Sequence, residues 1–328
     1  MKKLLMSVAV LGACLSLASA KTELVVYTAI ENELLPAYKN AFEAANPEIE
    51  IKWVRDSTGI ITARLIAEKD NPQADAILGL GSSSLIIMDD LGMLEAYQPA
   101  GFELVDTAQK DSAENPVWTG LTSWSSALCV NKIRLEKEGL PMPTSWQDLT
   151  NPIYKGKIAM PHPASSGSGY MNVSSWLQLW GDEAAWSYMD QLDANMKSYE
   201  HSGSKPCAMA AQGEVVIGIS ASALAEKLLQ RRAPLAVVFP EEGLGWDTEA
   251  NAIVKGTDQL VAAQALMDWG TSEAAAKLGA DYSGLPARSE FMTEQGKAIY
   301  EKLAPNDLKW AAKNRDAILK EWQSRYAQ

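Results

Sequence analysis

Histidine and cysteine are scarce: two His, His162 and His201, and three Cys in 328 residues. Two histidines are too few for most zinc sites and leave little room for Ser-His-Asp chemistry. Positive charge is also short, with 29 Lys and Arg against 41 Asp and Glu and a formal charge of −12. Binding along a phosphate backbone needs a basic stripe, so nucleic acid is not an expected partner. Beyond residue 20 no stretch approaches the roughly 18 apolar residues of a membrane span. Enzyme signatures are missing too. Ser83 lacks the second glycine of G-x-S-x-G and Ser168 lacks the first, and Gly79-Leu80-Gly81-Ser82-Ser83-Ser84 never supplies the third glycine of a dinucleotide loop. There is no H-E-x-x-H, C-x-x-C or P-loop, so neither a cofactor nor a resident metal is expected. An exported enzyme stays as an alternative that turnover of a phosphonate or ester would reveal.

What is present describes a folded, exported chain. Hydrophobic residues make up 47% and charged residues 21%, enough to bury a core, and the length suits two domains. Met1-Lys2-Lys3, an apolar run from Leu4 to Leu17 and Ala18-Ser19-Ala20 form a secretory signal peptide over residues 1–20. The mature chain is therefore expected in the periplasm. Leu11-Gly12-Ala13-Cys14 resembles a lipobox and would make Cys14 a lipid anchor, but the apolar run continues past it to the cleavage site. Cys129 and Cys207 then remain, an even count in an oxidising compartment, and a disulfide is expected rather than two buried thiols.

The patterning alternates between strand and helix. Residues 23–28, 49–53 and 74–80 read as strands, with helices over 30–46, 60–69 and 82–90. A second unit has strands over 157–160 and 215–219 and helices over 169–180, 183–194 and 206–211. A strand over 121–130 lacks that rhythm, further strands cover 236–239 and 251–254, and residues 258–328 are helical by pattern. This predicts an α/β protein of two lobes joined by two crossing strands, near 121–130 and 236–254, with a cleft between. Lobe 1 is expected over 21–124 plus 244–328 and lobe 2 over 125–243.

Three loops rich in Ser, Thr and Gly each open a helix: Asp56-Ser57-Thr58-Gly59, the run from Pro163 to Gly169, and His201-Ser202-Gly203-Ser204-Lys205. Helix N-termini present unpaired N–H groups and a positive dipole end, so several facing one cleft would hold a tetrahedral oxyanion. Ordinary N-capping explains any one such loop equally well. Trp124 and Trp246, near carboxylates such as Glu31, Glu241, Glu242 and Asp247, offer an aromatic–acidic corner for an ammonium. Core packing of the tryptophans and a solvated acidic face are the alternatives.

These residues resemble a known family. Val26-Tyr27-Thr28-Ala29-Ile30-Glu31, the run from Trp53 to Gly59, PASSGSGY at 163–170, HSGSKPC at 201–207 and FPEEGLGWDTEANAIVKG at 239–256 are similar to periplasmic solute-binding proteins. The similarity points to the 2-aminoethylphosphonate-binding branch of the family that also holds the ferric-ion binders. It implies a type II periplasmic binding protein fold, an interlobe ligand site, and delivery to an inner-membrane ABC permease with its ATPase, by a monomer. The ferric cousins hold iron with an adjacent tyrosine pair after a Gly-Glu-Val turn. Here Gly213-Glu214-Val215 is followed by Ala221-Ser222-Ala223-Leu224, and no Tyr-Tyr pair exists in the chain. An aminoalkylphosphonate is a zwitterion that fits both clues. Thr28, Thr58, Ser165, Ser166, Ser168 and Ser204 are assigned to the phosphonate, and Glu31, Trp124, Glu241 and Asp247 to the amine. Phosphosugars, polyamines, thiamine-like cations and ferric ion are the competing ligands.

Overall fold

The computed structural model describes residues 20–326, so Cys14 and residues 1–19 of the expected leader lie outside the described residues. The chain begins with β1 (Thr22–Thr28), α1 (Leu35–Ala45), β2 (Ile49–Arg55), α2 (Thr58–Ala67), β3 (Ala76–Gly81), α3 (Ser82–Asp90) and the short β4 (Leu94–Glu95). The long β5 (Trp118–Asn131) leads through α4 (Lys132–Lys137) into β6 (Ile158–Pro161), α5 (Gly167–Trp180), α6 (Asp182–Asp193) and β7 (Met196–Glu200). Next come α7 (Lys205–Gln212), β8 (Ile217–Ala221), α8 (Ser222–Gln230) and β9 (Leu235–Val238). β10 (Trp246–Val254) returns to the first strands before α9 (Leu260–Gly270), α10 (Glu273–Ser283), α11 (Glu294–Tyr300) and α12 (Leu308–Tyr326).

The strands form the order β2-β1-β3-β10-β5-β8-β6-β7, with β4 on β10 and β9 on β5. Pairing is parallel among β1, β2 and β3 and among β6, β7 and β8, whereas β10 and β5 run antiparallel to their neighbours. β5 joins the two halves of the sheet. Its residues up to Ser125 pair with β10, and those from Ser126 onward pair with β8 and β9. The mixed α/β architecture expected from the alternation is the one observed.

Local chemistry explains where the elements begin and end. α1 starts at Leu35 rather than at residue 30 because Pro36 occupies its first turn, where a missing N–H breaks no helical bond. β5 lacks alternation because all 14 of its residues are buried. Its many hydroxyls are satisfied inside: Ser123 donates to Gln109, Ser126 to the Gly245 carbonyl, and Thr122 and Ser125 pair with Ser283 and Ser222. β7 and α8 escaped the sequence reading. β7 is a short half-buried edge strand of polar residues, and α8 is nine residues long.

Each half of the sheet has its own core. In the first, Tyr38 and Phe42 meet Trp269 edge-on across one face, while Tyr27, Ile61, Leu85 and Met88 pack the other. In the second, Trp176 stands edge-on to Trp146 and Tyr188 at 5.3 and 5.1 Å between ring centroids. Full burial of such side chains contributes about 1.5–3 kcal/mol each. α12 lays Ala311, Ile318 and Trp322 onto this second core. Cys129 of β5 and Cys207 of α7 form a disulfide with a Cα–Cα distance of 5.3 Å, packed among Ala159, Met209 and Leu235.

Candidate functional site

The loops that open helices from both halves of the sheet meet at one cleft. Its wall carries Ser57 and Thr58 at the start of α2, Gly81 before α3, and Ser166, Gly167 and Ser168 at the start of α5. Gly203 and Ser204 before α7, and Ala221 and Ala223 around the start of α8, complete it. Five helix N-termini therefore face the same space. Only α5 has a side-chain cap, from Ser166 Oγ to the Gly169 N–H; the other four have none. N–H groups at four of these starts already have partners: Ser166 Oγ at α5, Ser202 Oγ at α7, the Asp247 carboxylate at α3 and the Ser165 carbonyl at α2. The partial positive helix ends still converge here, which favours an anion.

The cleft is also lined by the acidic and aromatic residues Glu31, Glu249, Trp124 and Tyr282, beside Arg55, with the Trp124 ring next to Gly81 and Thr58. Arg55 uses two of its five N–H groups here: its Nε donates to the Ile30 carbonyl and its Nη2 lies 3.3 Å from Glu31. Trp124 Nε1 is buried and has no acceptor among the described residues. Burial pushes the Glu249 carboxyl up to about 8; nearby Glu31 and Asp247 add to the shift and Arg55 opposes it. The cleft leaves about 60 Å³ for the centres of water molecules.

The halves touch across this cleft. The Gly59 N–H donates to the Ser165 carbonyl at 2.9 Å, and His201 Nε2 lies 3.1 Å from Asp56. Only glycine fits at two of the contacts. A Cβ on Gly59 would fall 2.0 Å from the Ala164 carbonyl oxygen, and one on Gly167 would fall 2.6 Å from Thr58 Oγ1. Further out, Glu33 pairs with Lys227 at 3.2 Å and Arg231 at 2.9 Å, and Lys227 sits over the Tyr282 ring.

Of the residues assigned from sequence, Glu31, Thr58, Trp124, Ser166, Ser168 and Ser204 line the cleft. Four do not. Thr28 is fully buried at the end of β1, where its Oγ1 accepts from the Ile30 N–H. Ser165 spends its hydroxyl on the His201 carbonyl, joining two loops behind the wall. Glu241 lies in an exposed turn after β9, its N–H bonded to the Thr144 carbonyl. Asp247 is buried beneath the cleft, where it accepts from Ser82 Oγ at 2.6 Å, Ser83 Oγ at 2.7 Å and the Thr248 N–H. It anchors the start of α3 and has no spare lone pair aimed at a ligand. Arg55, Ser57, Glu249 and Tyr282 were missed. Arg55, Ser57 and Glu249 lie inside motifs already singled out, but Tyr282 carries no sequence signal because α10 reaches the site from far along the chain.

On α8, facing Gln295, Glu226 has its Oε1 buried without a partner among the described residues, and burial pushes its carboxyl up to about 7. An unfolded glutamate titrates near 4.3. The folded chain therefore keeps this proton to higher pH, and the associated stability, complete below about pH 4, is lost as pH rises through about 7. Glu226→Gln is expected to remove that slope. Between about pH 5 and 8 the parent should lose roughly 2–4 °C more in melting temperature than the variant, the effect of about 1 kcal/mol after screening. Parallel melting profiles would contradict this.

Comparison with known proteins gives the same picture of a binding cleft. The model of a family described as bacterial extracellular solute-binding protein matches residues 74–315. An uncharacterized protein of Haemophilus influenzae is 29% identical over 324 residues, covering 93% of this chain and 91% of that one. A putative 2-aminoethylphosphonate-binding periplasmic protein of Salmonella typhimurium is 24% identical over 252 residues, covering 74% and 71%. Among solved structures, the periplasmic binding protein AfuA of Actinobacillus pleuropneumoniae, with exogenous fructose-6-phosphate bound, superposes with a TM-score of 0.86 at 27% identity. That superposition covers 94% of this chain and 99% of the other. Iron-bound HitA of Pseudomonas aeruginosa shares the fold at a TM-score of 0.76 and 19% identity, covering 92% of this chain and 99% of that one.

Proposed function

The chain belongs to the bacterial extracellular solute-binding proteins, the periplasmic capture components of ABC importers, and from that premise we propose that its ligand is 2-aminoethylphosphonate or a close aminophosphonate. Such proteins work with a membrane permease and its ATPase. In this reading the two sheet halves are lobes, α12 rides on the second, and the ligand is enclosed as they close. Five helix N-termini on one cleft carry the proposal, since their partial positive ends favour an anion. Thr58, Ser166, Ser168 and Ser204 add hydroxyl donors at that end. Glu31 and Glu249 are left to meet the ammonium, with the Trp124 ring in the same cleft. Export through the residue 1–20 leader and delivery to an inner-membrane permease complete the proposed cycle.

A sugar phosphate is the second reading, favoured by the likeness to the fructose-6-phosphate-bound AfuA. It shares the anion end and differs at the tail. The carboxyls of Glu31 and Glu249 favour the cationic tail.

Thermal melting with a ligand panel tests the proposal. A ligand at about a thousand times its Kd stabilises by roughly 4 kcal/mol, and the melting temperature should rise by on the order of 10 °C. 2-Aminoethylphosphonate is expected to give this shift with or without a chelator, and ethylphosphonate and ethanolamine each little. An equal shift from ethanolamine or a ferric salt would overturn the two-ended site.

A further inference from the structure

Glu31 and Asp247 are already committed, the first to Arg55 and the second to Ser82, Ser83 and the Thr248 N–H. Glu249 lines the same cleft, and among the described residues nothing hydrogen-bonds or ion-pairs with its carboxyl. It is the uncommitted acid of the site. The groups facing it are Glu31 from the loop after β1, Arg55 at the end of β2, Tyr38 from α1, Tyr282 from α10, and Asp247 on its own strand. Both tyrosines are held far from ionisation by burial.

We propose that Glu249 is the residue that selects an amine-bearing ligand, meeting it as a neutral acid and passing to carboxylate as the ammonium arrives, so that capture expels one proton. The inference rests on the aminophosphonate reading of the cleft. The balance is simple: the Glu249 O–H bond breaks, the proton leaves to water, and the carboxylate pairs with an ammonium that keeps all its own protons. Burial raises the Glu249 carboxyl to about 8, so near neutral pH the acid form predominates before capture. An ammonium, whose ordinary pKa is near 10, stays charged throughout. A hydroxyl in the same position gives the carboxyl no reason to ionise, so the proton stays. The site would then distinguish amine from alcohol at equal size by charge and proton count together.

Calorimetric titrations with 2-aminoethylphosphonate and 2-hydroxyethylphosphonate, each in two buffers of different protonation heat near pH 7, test this. The phosphonate protons differ between the two ligands, because the ammonium lowers the second phosphonate pKa, so each free ligand is titrated and its phosphonate-bound protons near pH 7 are subtracted. The amine is expected to release close to one proton more than the alcohol, about 0.9 for a group titrating near 8. Glu249→Gln should abolish that difference and reduce the preference for the amine by about ten- to a hundredfold. Equal proton counts in the parent protein would overturn the inference alone, and that measurement stands even if the variant fails to fold. A variant that keeps the preference would overturn it as well. Failure of both phosphonates to bind would instead remove the aminophosphonate reading, and this inference with it.

Discussion

Gly59→Ala is expected to weaken binding of 2-aminoethylphosphonate by roughly five- to a hundredfold while leaving the unliganded protein about as stable as the parent. The new methyl carbon would lie 2.0 Å from the Ala164 carbonyl oxygen and 2.9 Å from that of Ser165, both backbone atoms of the opposite half. Neither can move like the end of a flexible side chain, so the two walls must part. Overpacking of this kind costs about 1–3 kcal/mol and occasionally more, and 3 kcal/mol is somewhat over a hundredfold in affinity. Within α2 the same substitution is favourable, since alanine is a better helix former than glycine by about 1 kcal/mol. Binding and fold stability should therefore move in opposite directions or separately. Calorimetry and melting without ligand check the two effects; parent-like affinity would mean that the Gly59–Ser165 contact is not part of the ligand-bound state.

Loss of the Cys129–Cys207 bridge should be the largest effect on stability itself. It spans 78 residues of sequence and ties β5, the strand shared by both halves, to the first turn of α7. In the chain-entropy model, cross-linking a loop of this length stabilises by about 4–5 kcal/mol. The Cys129→Ala, Cys207→Ala double variant is expected to melt roughly 10 °C below the parent. Both sulfurs are buried in a small cluster with Ala210, Val215 and Leu235, so the variant also loses packing. Titration of two free thiols in unreduced, unfolded parent protein would contradict this account, as would a melting temperature unchanged by the double substitution.

Much of the architecture was legible because burial writes a period into the chain. β1, β2 and β3 with α1, α2 and α3 show it most clearly, each strand short and apolar and each helix opened by a recognisable loop. β10 was read five residues too short. Trp246, Asp247, Thr248 and Glu249 look polar in sequence, yet the strand runs through them along β5, whose buried hydroxyls accept polar neighbours. The loops that line the cleft were legible for a similar reason, since three Ser- and Gly-rich runs each stand before a helix. The acidic residues of the cleft were not. A carboxylate in a sequence gives no sign of whether it is committed. Asp247 and Glu249, two positions apart, hold a helix start and face the ligand space respectively, and only the fold separates them. Glu241 was misplaced because the turn carrying it bends toward Thr144 rather than into the cleft.

Ser166 and Ser168 face the cleft from the α5 loop, where Ser165 turns away to bond the His201 carbonyl. Their joint replacement by alanine is expected to remove about 2–6 kcal/mol of ligand binding, at about 1–3 kcal/mol for each lost partner. The melting shift with ligand should then disappear, whereas Ser165→Ala alone should leave most of it.

The central claim is that helix N-termini on one cleft hold a phosphate or phosphonate. Native mass spectrometry of the mature protein offered an equimolar mixture of 2-aminoethylphosphonate, fructose-6-phosphate, thiamine, spermidine and ferric citrate tests it most directly. The predicted result is a single adduct with the mass of a phosphorus compound, 2-aminoethylphosphonate ahead of the sugar phosphate. An adduct of thiamine, spermidine or iron, or protein that takes up none of the five, would contradict it.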